Sequence, residues 1–507
     1  MGHRDPLVKL HPDDPVAIAL EDLAAGTAVG AMTLVDPIPR GHKVALEAIP
    51  EGELVRRYGQ IIGQARHPIA PGAHVHSDNL GMIPAGTQVE ACSRYQPTAV
   101  LPEAQQATFQ GIVRPDGRVA TRNYLAVIST VNCSATVARY ISDAFRAPDA
   151  LGDFPNVDGV VAITHPTGCG MASDGEAIQL LRRTLAGYAR HPNVAGVLFV
   201  GLGCETNQIR RLLQTQGLAE GELLQSLTMQ GTGGTAATVR EGVARLKAML
   251  PAANAATRRP VPASHLTLGL QCGGSDGYSG ISANPALGAA ADLLIRHGGA
   301  AVLAETPEIY GAEHLLVERA KEPAVAAQLM DLIRWWQDYT ARHGGEMDNN
   351  PSPGNKAGGL TTILEKSLGA VAKGGTTGLM EVIRYAEPVT GKGLIFMDSP
   401  GYDPVSVTGQ VASGCNIVCF TTGRGSCFGC KPAPSLKLAT NTPMYQRMVD
   451  DMDFNCGPVV DGEATVAEQG EQLFQLILAT ASGKATKSEA LGYGDAEFTP
   501  WQLGAVM

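Results

Sequence analysis

From residue 109 onward, short apolar runs alternate with amphipathic segments in regular succession. The apolar runs have the length of strands, and the segments between them repeat apolar residues at helical spacing. The first three pairs are YLAVISTV with SATVARYISDAF, VDGVVAIT with GEAIQLLRRTLAGYA, and VAGVLFVG with TNQIRRLLQTQG. Strands that alternate with helices pair in parallel, because each crossover helix returns the chain to the same end of the sheet. The pattern therefore predicts an α/β fold with mostly parallel sheets.

The remaining segments predict the domain organisation. Residues 1–95 contain short apolar runs between closely spaced Pro and Gly turns, which is typical of a small β-rich module. Residues 96–108 have no periodicity and are predicted to be a linker. A second break, at residues 251–264, separates a first catalytic lobe at 109–255 from a second at 265–507, which ends in a helix and a tail. We expect a small N-terminal β-rich module followed by a large, two-lobed α/β catalytic region.

Composition and charge narrow the classes of partner. The chain has 507 residues, 44% hydrophobic and 17% charged, which is enough apolar material for large cores. Its formal net charge is -10 and it has no run of Lys or Arg, which argues against nucleic acid as a partner. We find no segment typical of a membrane span or a signal peptide. We expect a cytoplasmic protein with reduced cysteines and a small-molecule partner.

Four cysteines share one local setting, in which an apolar run breaks into a glycine or small polar turn: Cys133, Cys169, Cys204 and Cys272. Enzymes of the α/β class carry their chemistry where strands end, so these thiols can converge on one metal site. Their separations, about thirty residues or more, exclude a zinc-finger knuckle. Taken singly, each thiol also fits a small buried hydrophobic residue. Together with His165, Glu205 and Asp276 beside them, they favour a shared active-site region.

Two histidines end the β-rich module. His74 and His76 alternate along a predicted strand, so their side chains point the same way and can share a ligand. Asp78 lies on the same face if the strand continues. The alternative is a pair of exposed strand histidines. His42, in the earlier turn GHK, is predicted to be an exposed residue that decorates the surface without a functional role.

Three segments combine a cationic side chain with turn-forming residues, which suits the binding of an anion. They are TRNY at 121–124, with Arg122 and Asn123; NPSPGNK at 350–356; and TTGRG at 421–425, with Arg424. Arginine beside glycines and free backbone amides is suited to bidentate carboxylate binding. Each segment also fits a structural turn with a solvated charge. The pair Cys427 and Cys430 has CxxC spacing without a second pair, which favours a structural or site-lining role over zinc.

Several of these motifs together resemble the altronate/galactarate dehydratase family of sugar-acid dehydratases. The matching segments span nearly the whole chain in order: GHKVAL at 41–46, HVHSDN at 74–79, TRNY at 121–124, HPTGCG at 165–170, GLGCE at 201–205, QCGGSDGYSGISANPALG at 271–288, PSPGNKAGG at 351–359 and TTGRG at 421–425. The segments QCGGSD and NPSPGNK are highly specific. The resemblance implies that the N-terminal module is SAF-like.

The resemblance implies a reaction, and the motifs described above supply a set of candidate site residues. The reaction is dehydration of a 2,3-dihydroxy sugar acid to a 2-keto-3-deoxy acid, with dependence on Fe(II) or a similar divalent ion. The residues assigned to catalysis are His74, His76, His165 and Lys356. Those assigned to substrate binding are Arg122, Asn123, Ser275, Asp276, Asn355 and Arg424, and those assigned to metal binding are Cys133, Cys169, Cys204, Cys272 and Glu205.

Two departures from the family pattern bear on the substrate. Relatives that act on altronate usually have HxHxHN, whereas Asp78 stands at the third histidine here. Relatives usually continue TTGRG with TPYG, whereas this chain has SCFGC at 426–430. Altronate and galactarate are therefore both open as substrates. Elimination of sulfite from a sulfolactate-like substrate, or sugar-acid sensing without catalysis, are the alternative functions.

The cofactor follows from the ligand types. Thiolates select iron, zinc or iron-sulfur clusters over magnesium, so iron is the expected metal. One hypothesis is a mononuclear Fe(II) or Mn(II) site with some of the thiols nearby. The other is an iron-sulfur cluster held by Cys133, Cys169, Cys204 and Cys272, with an open iron that binds the hydroxy acid. A homo-oligomer, most simply a dimer, is the expected assembly.

Overall fold

The computed structural model describes residues 5–83, 90–147 and 149–506, and its N-terminal part is a β-rich module. Its strands form two small antiparallel sheets, in the orders β1-β2-β5-β8 and β6-β7-β9, together with the hairpin β3-β4. The bounds are β1 Leu7–Val8, β2 Val16–Ala19, β3 Ala28–Val29, β4 Met32–Thr33, β5 Lys43–Ala45, β6 Leu54–Arg57, β7 Gln60–Ala65, β8 His74–Val75 and β9 Leu80–Gly81.

The first lobe contains a four-stranded parallel sheet in the order β13-β12-β14-β15. A separate three-stranded antiparallel sheet has the order β11-β10-β16. The strands are β10 Thr108–Val113, β11 Val119–Ala120, β12 Tyr124–Ser129, β13 Gly159–Ile163, β14 Val194–Gly201, β15 Leu224–Thr228 and β16 Arg258–Pro262. The helices are α1 Ala135–Asp143, α2 Glu176–Arg190, α3 Ile209–Gln216, α4 Met229–Thr232 and α5 Thr235–Asn254.

The second lobe is built on a seven-stranded parallel sheet in the order β19-β20-β18-β17-β21-β22-β23. Its strands are β17 Thr267–Cys272, β18 Ala300–Ala304, β19 Leu379–Ile383, β20 Gly393–Met397, β21 Ile417–Thr422, β22 Ser435–Ala439 and β23 Phe454–Asn455. Its helices are α6 Ala283–Arg296, α7 His314–Val317, α8 Pro323–Arg342, α9 Pro353–Lys356, α10 Ile363–Val371, α11 Asp403–Ala412, α12 Thr442–Arg447, α13 Gly457–Val460, α14 Val466–Ala481 and α15 Lys487–Ala490.

Both parallel sheets confirm the predicted fold class. Strand β12 is buried along its whole length, and so are β18, β20, β21 and β22. Strands covered by helices on both faces need continuous apolar runs rather than alternation, and runs such as YLAVIS and GLIFM meet that need. Among the described residues, no helix is both long and apolar enough to cross a membrane.

The segment at 251–264, expected to be a break, is regular structure for most of its length. Helix α5 continues to Asn254, and β16 pairs antiparallel with β10 over five residue pairs. Strand β10 itself begins at Thr108, within the predicted linker. The two prolines of RRPVP conceal this strand in the sequence, because proline removes a ladder donor and is tolerated only at an edge, which is where β16 lies.

The β-rich module docks on the second lobe through a buried ionic cluster. Lys43 donates to both carboxylate oxygens of Glu365 at 2.9 Å, and Arg57 donates to the same carboxylate. These three side chains are at most 1% exposed. Burial alone would raise the pKa of Glu365, but the charges of Lys43 and Arg57 outweigh burial and hold it at about 2. The cluster therefore stabilises the contact between the module and the second lobe through ion pairs that are shielded from water.

Backbone contacts bring the same surfaces together. Lys43 also donates to the carbonyl of Gly359 at 2.7 Å, and Arg57 donates to the carbonyl of Gly277. A Cβ added at Gly277 would lie 2.0 Å from the carbonyl oxygen of Gly41. This approach requires glycine at 277, and it places the GHK turn directly on the second lobe.

Candidate functional site

One group of potential metal ligands lies at the carboxyl edge of the seven-stranded sheet. Strand β17 ends at Cys272, and the neighbouring strand β18 ends one residue before Glu305. A 3-10 turn at Thr306–Ile309 then carries Glu308. The thiol and the two carboxylates lie within 4.8 Å of one another, and all three residues are buried. Among the described residues, this is the one such group of three or more Cys, His, Asp or Glu side chains.

The carboxylate of Glu305 is the most unusual member of this group. It is 0% exposed, and neither of its oxygens has a hydrogen-bond partner among the described residues. The nearest cation, Lys373, lies 4.0 Å away. Burial, and then the negative charge of Glu308, raise the pKa of Glu305 well above its usual value. A buried carboxylate without donors is costly unless it is protonated or binds a cation, so this position suits a metal ligand.

Two buried lysines lie beside these three residues. Lys373 donates to the sulfur of Cys272 at 2.9 Å. Lys366 donates to Glu308 and, at 2.9 Å, to the side-chain oxygen of Asn350. Burial raises the pKa of the Cys272 thiol to about 11, although Lys373 opposes this shift. For Glu308, burial is outweighed by the charges of Lys366 and Lys373, which lower its pKa and keep it ionised.

A cavity of about 520 Å³ opens onto this group. Asp403, at the start of α11, lines it, and a Cβ at Gly273 would lie 2.2 Å from the Asp403 carboxylate. Burial, and then the charge of Glu308, raise the pKa of Asp403 to about 6. The other lining residues are Gly273, Gly274, Pro307, Glu308, Trp336, Thr340, Glu346, Met347, Asn349, Asn350, Ser352, Asn355, Lys366, Gly401 and Tyr402. The cavity is thus lined by the ammonium group of Lys366 and by the carboxyl groups of Glu308 and Asp403, whose pKa values shift in opposite directions.

The NPSPGNK segment forms one wall of this cavity. Ser352 and Asn355 form a capping box at the start of α9, in which each side chain bonds to the other's backbone amide. The side-chain amide of Asn355 also donates to the carbonyl of Ser275 at 2.9 Å. Two of the predicted substrate-binding residues, Ser275 and Asn355, are therefore in contact, and Asn355 faces the cavity. Lys356 follows it and is half-buried.

A cluster of three histidines lies on the other side of this wall, and we call it the histidine cluster: His42, His74 and His76. Their ring centroids are 5.1 to 5.2 Å apart, and His42 Nδ1 lies 2.9 Å from His74 Nε2. His76 bonds to the carbonyl of Lys356 at 2.9 Å. The prediction that His42 decorates the surface was wrong, because docking of the module buries it. Burial lowers the pKa values of His42 and His74 to about 4, so these rings are neutral at pH 7.

The four predicted metal-ligand cysteines are divided between the two sheets. Cys133, Cys169 and Cys204 follow β12, β13 and β14 in the first lobe, and all three are exposed. Cys272 is buried in the second lobe with Lys373 and Glu308. The predicted boundary between the lobes already separates Cys272 from the other three cysteines, and the expectation that all four converge rested on the similar turns in which they lie.

The predicted residues beside the first-lobe cysteines have structural contacts. His165 bonds through Nε2 to the carbonyl of Ser129 at 3.0 Å, and its Nδ1 accepts from Thr167. Glu205 accepts from the Thr130 hydroxyl at 2.9 Å and from the Gly203 amide at 2.6 Å. Both side chains tie the loops at the sheet edge to one another.

Arg122 and Asn123 are buried and have structural partners. Arg122 forms a two-point ion pair with Glu489, at 2.6 and 2.9 Å, and donates to carbonyls of Thr121, Thr480 and Lys484. Asn123 is fully buried, accepts from Arg114 and donates to the carbonyls of Asn156 and Ala253. The bonds of Arg122 tie the first lobe to the C-terminal helices, and anion binding by TRNY stays a prediction.

Asp276 and Arg424 lie in the loops around Gly274. Asp276 is buried and accepts from Ser279 and Tyr278 in its own turn and from Thr440 at 3.0 Å. Its contacts hold this turn against the second lobe. The backbone amide of Arg424 donates to the carbonyl of Gly274 at 2.9 Å, and its side chain is exposed. Arg424 therefore lies next to the cavity with its guanidinium directed to solvent.

Five residues of the site, three of which line the cavity, were missed from the sequence. Glu305, Glu308 and Asp403 follow strands of the second sheet, so the strand-end criterion that selected the cysteines would have selected Glu305 as well. Lys366 and Lys373 lie on or just after α10, and nothing in their local sequence distinguishes them from surface lysines.

Two buried histidines lead to a prediction for stability against pH. Burial lowers the pKa of His165 and of His191 from 6.5 to about 4. Below pH 6.5 these two rings bind protons in the unfolded chain but not in the folded chain. Folding stability therefore falls as the pH drops towards 4. Each ring should lower the free energy of unfolding by about 2 kcal/mol between pH 7 and pH 5. Denaturant unfolding at several pH values measures this loss.

Matched variants isolate the contribution of one ring. His165→Gln should remove its share of the decrease, whereas His67→Gln, at an exposed position, should leave the decrease unchanged. An identical pH dependence in both variants would contradict the assignment of a lowered pKa to His165.

Comparison with known proteins covers nearly the whole chain. Residues 5–83 match the family "Altronate/galactarate dehydratase SAF domain". Residues 111–254 match "D-galactarate dehydratase/Altronate hydrolase, second domain", and residues 263–506 match "D-galactarate/Altronate dehydratase, C-terminal". The three matched ranges correspond to the β-rich module and to the two parallel sheets with their helices.

Curated relatives agree with these matches. The chain is 36% identical to "Altronate dehydratase" of Bacillus subtilis (strain 168), over 95% of this chain and 96% of the relative. It is 38% identical to "Galactarate dehydratase (L-threo-forming)" of Escherichia coli (strain K12), over 94% and 93%. It is 32% identical to "(2R)-sulfolactate sulfo-lyase subunit beta" of Chromohalobacter salexigens, over 77% and 97%. The chain therefore belongs to the altronate/galactarate dehydratase family and is an enzyme of the hydro-lyase class.

Proposed function

We propose that this enzyme dehydrates a 2,3-dihydroxy sugar acid to a 2-keto-3-deoxy acid in the cavity of the second lobe. The observation that carries the proposal is the buried group of Cys272, Glu305 and Glu308, which opens onto a polar cavity beside two lysines. The named dehydratases among the relatives support an altronate-like or galactarate-like substrate.

The donor set suits a borderline divalent metal. One sulfur and two carboxylates favour Fe(II) or Mn(II) over Mg²⁺, which prefers oxygen donors alone. Glu305 has no donor among the described residues, so a cation would satisfy its buried oxygens. Cys272, Glu305 and Glu308 would hold this ion. When bound, it would act as a Lewis acid towards an oxygen of the substrate.

The lysines would stabilise charge during the reaction. The hydrogen next to a carboxylate is only weakly acidic, and its removal leaves an enediolate with two negative charges. Lys366 lines the cavity, and Lys373 lies behind it on Cys272. Their ammonium groups are fixed in place by buried partners, so they need no reorganisation when the charge develops. Arg424 and Lys356, next to the cavity, are the proposed partners of the more distant substrate oxygens.

Asp403 is the proposed proton-transfer group. Its carboxyl lines the cavity, packs against the backbone of Gly273 and lies near the two lysines. In this position its carboxylate can take the proton next to the substrate carboxylate and then give that proton to the departing C3 hydroxyl, which leaves as water; the enol then becomes the ketone. The histidine cluster bonds to the carbonyls of Lys356 and Ala357 and would position the wall that carries Asn355.

A single assay tests this function against its alternatives. Keto-acid formation is measured anaerobically over a panel of aldonates and aldarates, with Fe(II), with Mn(II) and after chelation. We expect keto acid from at least one sugar acid, with loss of activity on chelation. Full activity after exhaustive chelation would contradict the proposed metal dependence. Binding of sugar acids with no turnover of any of them would indicate a sensor.

Sulfite elimination is a second candidate because the sulfo-lyase subunit matches 77% of this chain. The same enediolate could expel sulfite in place of hydroxide. Sulfite release from a sulfolactate, without keto-acid formation from any sugar acid, would favour this candidate.

A direct binding measurement tests the proposed metal ligands. Glu305→Gln keeps the shape of the side chain and removes its charge. It should weaken Fe(II) binding, measured anaerobically by titration, by at least about 10-fold to 100-fold. Glu51→Gln, at an exposed position, is the matched control. Equal affinity in the two variants would exclude Glu305 as a ligand.

A further inference from the structure

Three free thiols lie at one edge of the first lobe, away from the cavity described above. Cys133, Cys169 and Cys204 each lie in the loop that follows one strand. The three strands are neighbours, because β12 lies between β13 and β14 and pairs in parallel with both. Adjacent strands are about 4.8 Å apart, so the three loops emerge within the width of one small inorganic cluster.

Backbone hydrogen bonds hold these loops against one another. The amide of Asn132 donates to the carbonyl of Thr167 at 2.9 Å, and the amide of Asn207 donates to the carbonyl of Gly168 at 3.0 Å. The side chain of Asn207 also donates to the carbonyl of Thr130 at 3.1 Å. The three loops therefore form one rigid surface, and each contributes a thiol to it.

The loop of Cys169 packs closely against the turn that carries Cys133. Gly168 has a φ of +98°, and a Cβ there would lie 2.3 Å from the carbonyl oxygen of Thr130. Only glycine combines this backbone conformation with this contact. The close approach carries Cys169 towards the loop of Cys133, since Thr130 and Cys133 belong to the same turn.

The donors free to bind at this edge are sulfur atoms. The two other ligand types nearby, His165 and Glu205, are occupied by backbone and hydroxyl partners. The three cysteines are exposed although free cysteine is among the most buried residue types. The side-chain amide of Gln230 donates to the sulfur of Cys204 at 3.3 Å, the kind of bond that supports a ligating thiolate.

We propose that Cys133, Cys169 and Cys204 bind an iron-sulfur cluster of the four-iron, four-sulfide type. Thiolate donors without carboxylate or imidazole favour iron-sulfur clusters and zinc over magnesium or calcium, and three thiolates without a histidine are one ligand short of the usual tetrahedral zinc site. Three protein thiolates leave one iron without a cysteine ligand, and that iron would accept an oxygen donor such as water or a hydroxy acid. Cys272 is not a ligand in this assignment, because it lies on the other sheet with Lys373 and Glu308. The proposal does not depend on the function proposed for the second lobe.

The test uses the full-length protein after anaerobic reconstitution with Fe(II) and sulfide. We expect about four acid-labile sulfide and about four cluster iron per chain, in addition to any Fe(II) bound in the second lobe, with the visible absorption of a cluster. Cys133→Ser, Cys169→Ser and Cys204→Ser should each lose most of the sulfide and the absorption. Cys427→Ser, at an exposed thiol of the second lobe, and Cys272→Ser should both retain them.

Each contrary result has a definite meaning. Loss of the cluster in Cys272→Ser as well would replace the three-thiol site with a four-thiol site. Stoichiometric zinc without sulfide, or a disulfide between two of the three thiols in the anaerobic protein, would overturn the proposal. Circular dichroism of each variant checks that the fold is retained, and Gly168→Ala, which keeps every thiol, should also lower the cluster content by displacing the Cys169 loop.

Discussion

Replacing Asp403 by Asn should lower the turnover number of the dehydration by a factor on the order of 10² to 10⁴, the usual contribution of a positioned acid or base. Asparagine has nearly the same shape, so the cavity and its contact with Gly273 are retained. It cannot exchange a proton with the substrate. Initial rates of keto-acid formation on the preferred sugar acid measure the effect.

The control for this variant is Asp450→Asn, which changes an exposed carboxylate in the same lobe. Its turnover should equal that of the unaltered enzyme. Because the proposed role of Asp403 is in the chemical step, its loss should affect the turnover number more than the Michaelis constant. A large rise in the Michaelis constant with unchanged turnover would instead make Asp403 a substrate-binding residue.

The second large effect concerns stability. Glu365→Gln leaves Lys43 and Arg57 buried without a counter-charge, although the amide keeps the size of the carboxylate. Removing one partner of a buried ion pair usually costs about 3 to 5 kcal/mol. We expect a loss of that order in the free energy of unfolding, measured with a chemical denaturant.

Two further variants show whether the loss comes from unpaired charge. Glu51→Gln, at an exposed position of the β-rich module, should change the free energy of unfolding by less than about 0.5 kcal/mol. Adding Lys43→Met to Glu365→Gln should recover part of the loss, because one uncompensated ammonium is removed. A double variant less stable than Glu365→Gln alone would contradict this explanation.

The same cluster connects stability to the proposed activity. Lys43 follows His42 directly, and both reach the second lobe through the GHK turn. Weakening the docking of the module should therefore disturb the histidine cluster and the wall formed by the NPSPGNK segment. Activity of Glu365→Gln should fall at denaturant concentrations that leave the parallel sheets folded.

The predictions that relied on local patterns succeeded where the elements are long. Strands β12, β13 and β14 and helices α1 and α3 lie within the segments predicted from the apolar period, and α2 extends one residue beyond its segment. Strand β16 was missed because its prolines conceal an edge strand. Its pairing with β10 depends on residues about 150 positions apart in the chain, a separation that no local pattern reports.

Candidate residues could be identified from the sequence only where neighbouring residues in the chain form their surroundings. The turns after β12, β13, β14 and β17 identify cysteines at sheet edges, because a strand and its glycine turn are adjacent in sequence. The same turns could not distinguish the two sheets. Arg122 and Arg424 each lie in a short segment next to a strand, yet one is buried against Glu489 and the other is exposed.

The sequence by itself determined the α/β class, the N-terminal β-rich module, the family and the edges of the sheets at which functional side chains collect. These properties follow from hydrophobic periodicity, turn residues and motifs that are continuous in the chain. Tertiary structure alone decided that Glu305 is buried without a donor, that Lys366 and Lys373 converge on Cys272 and Glu308, and that His42 joins His74 and His76. The physical reason is that burial and charge pairing depend on which distant surfaces dock, and docking is set by the packing of the whole molecule.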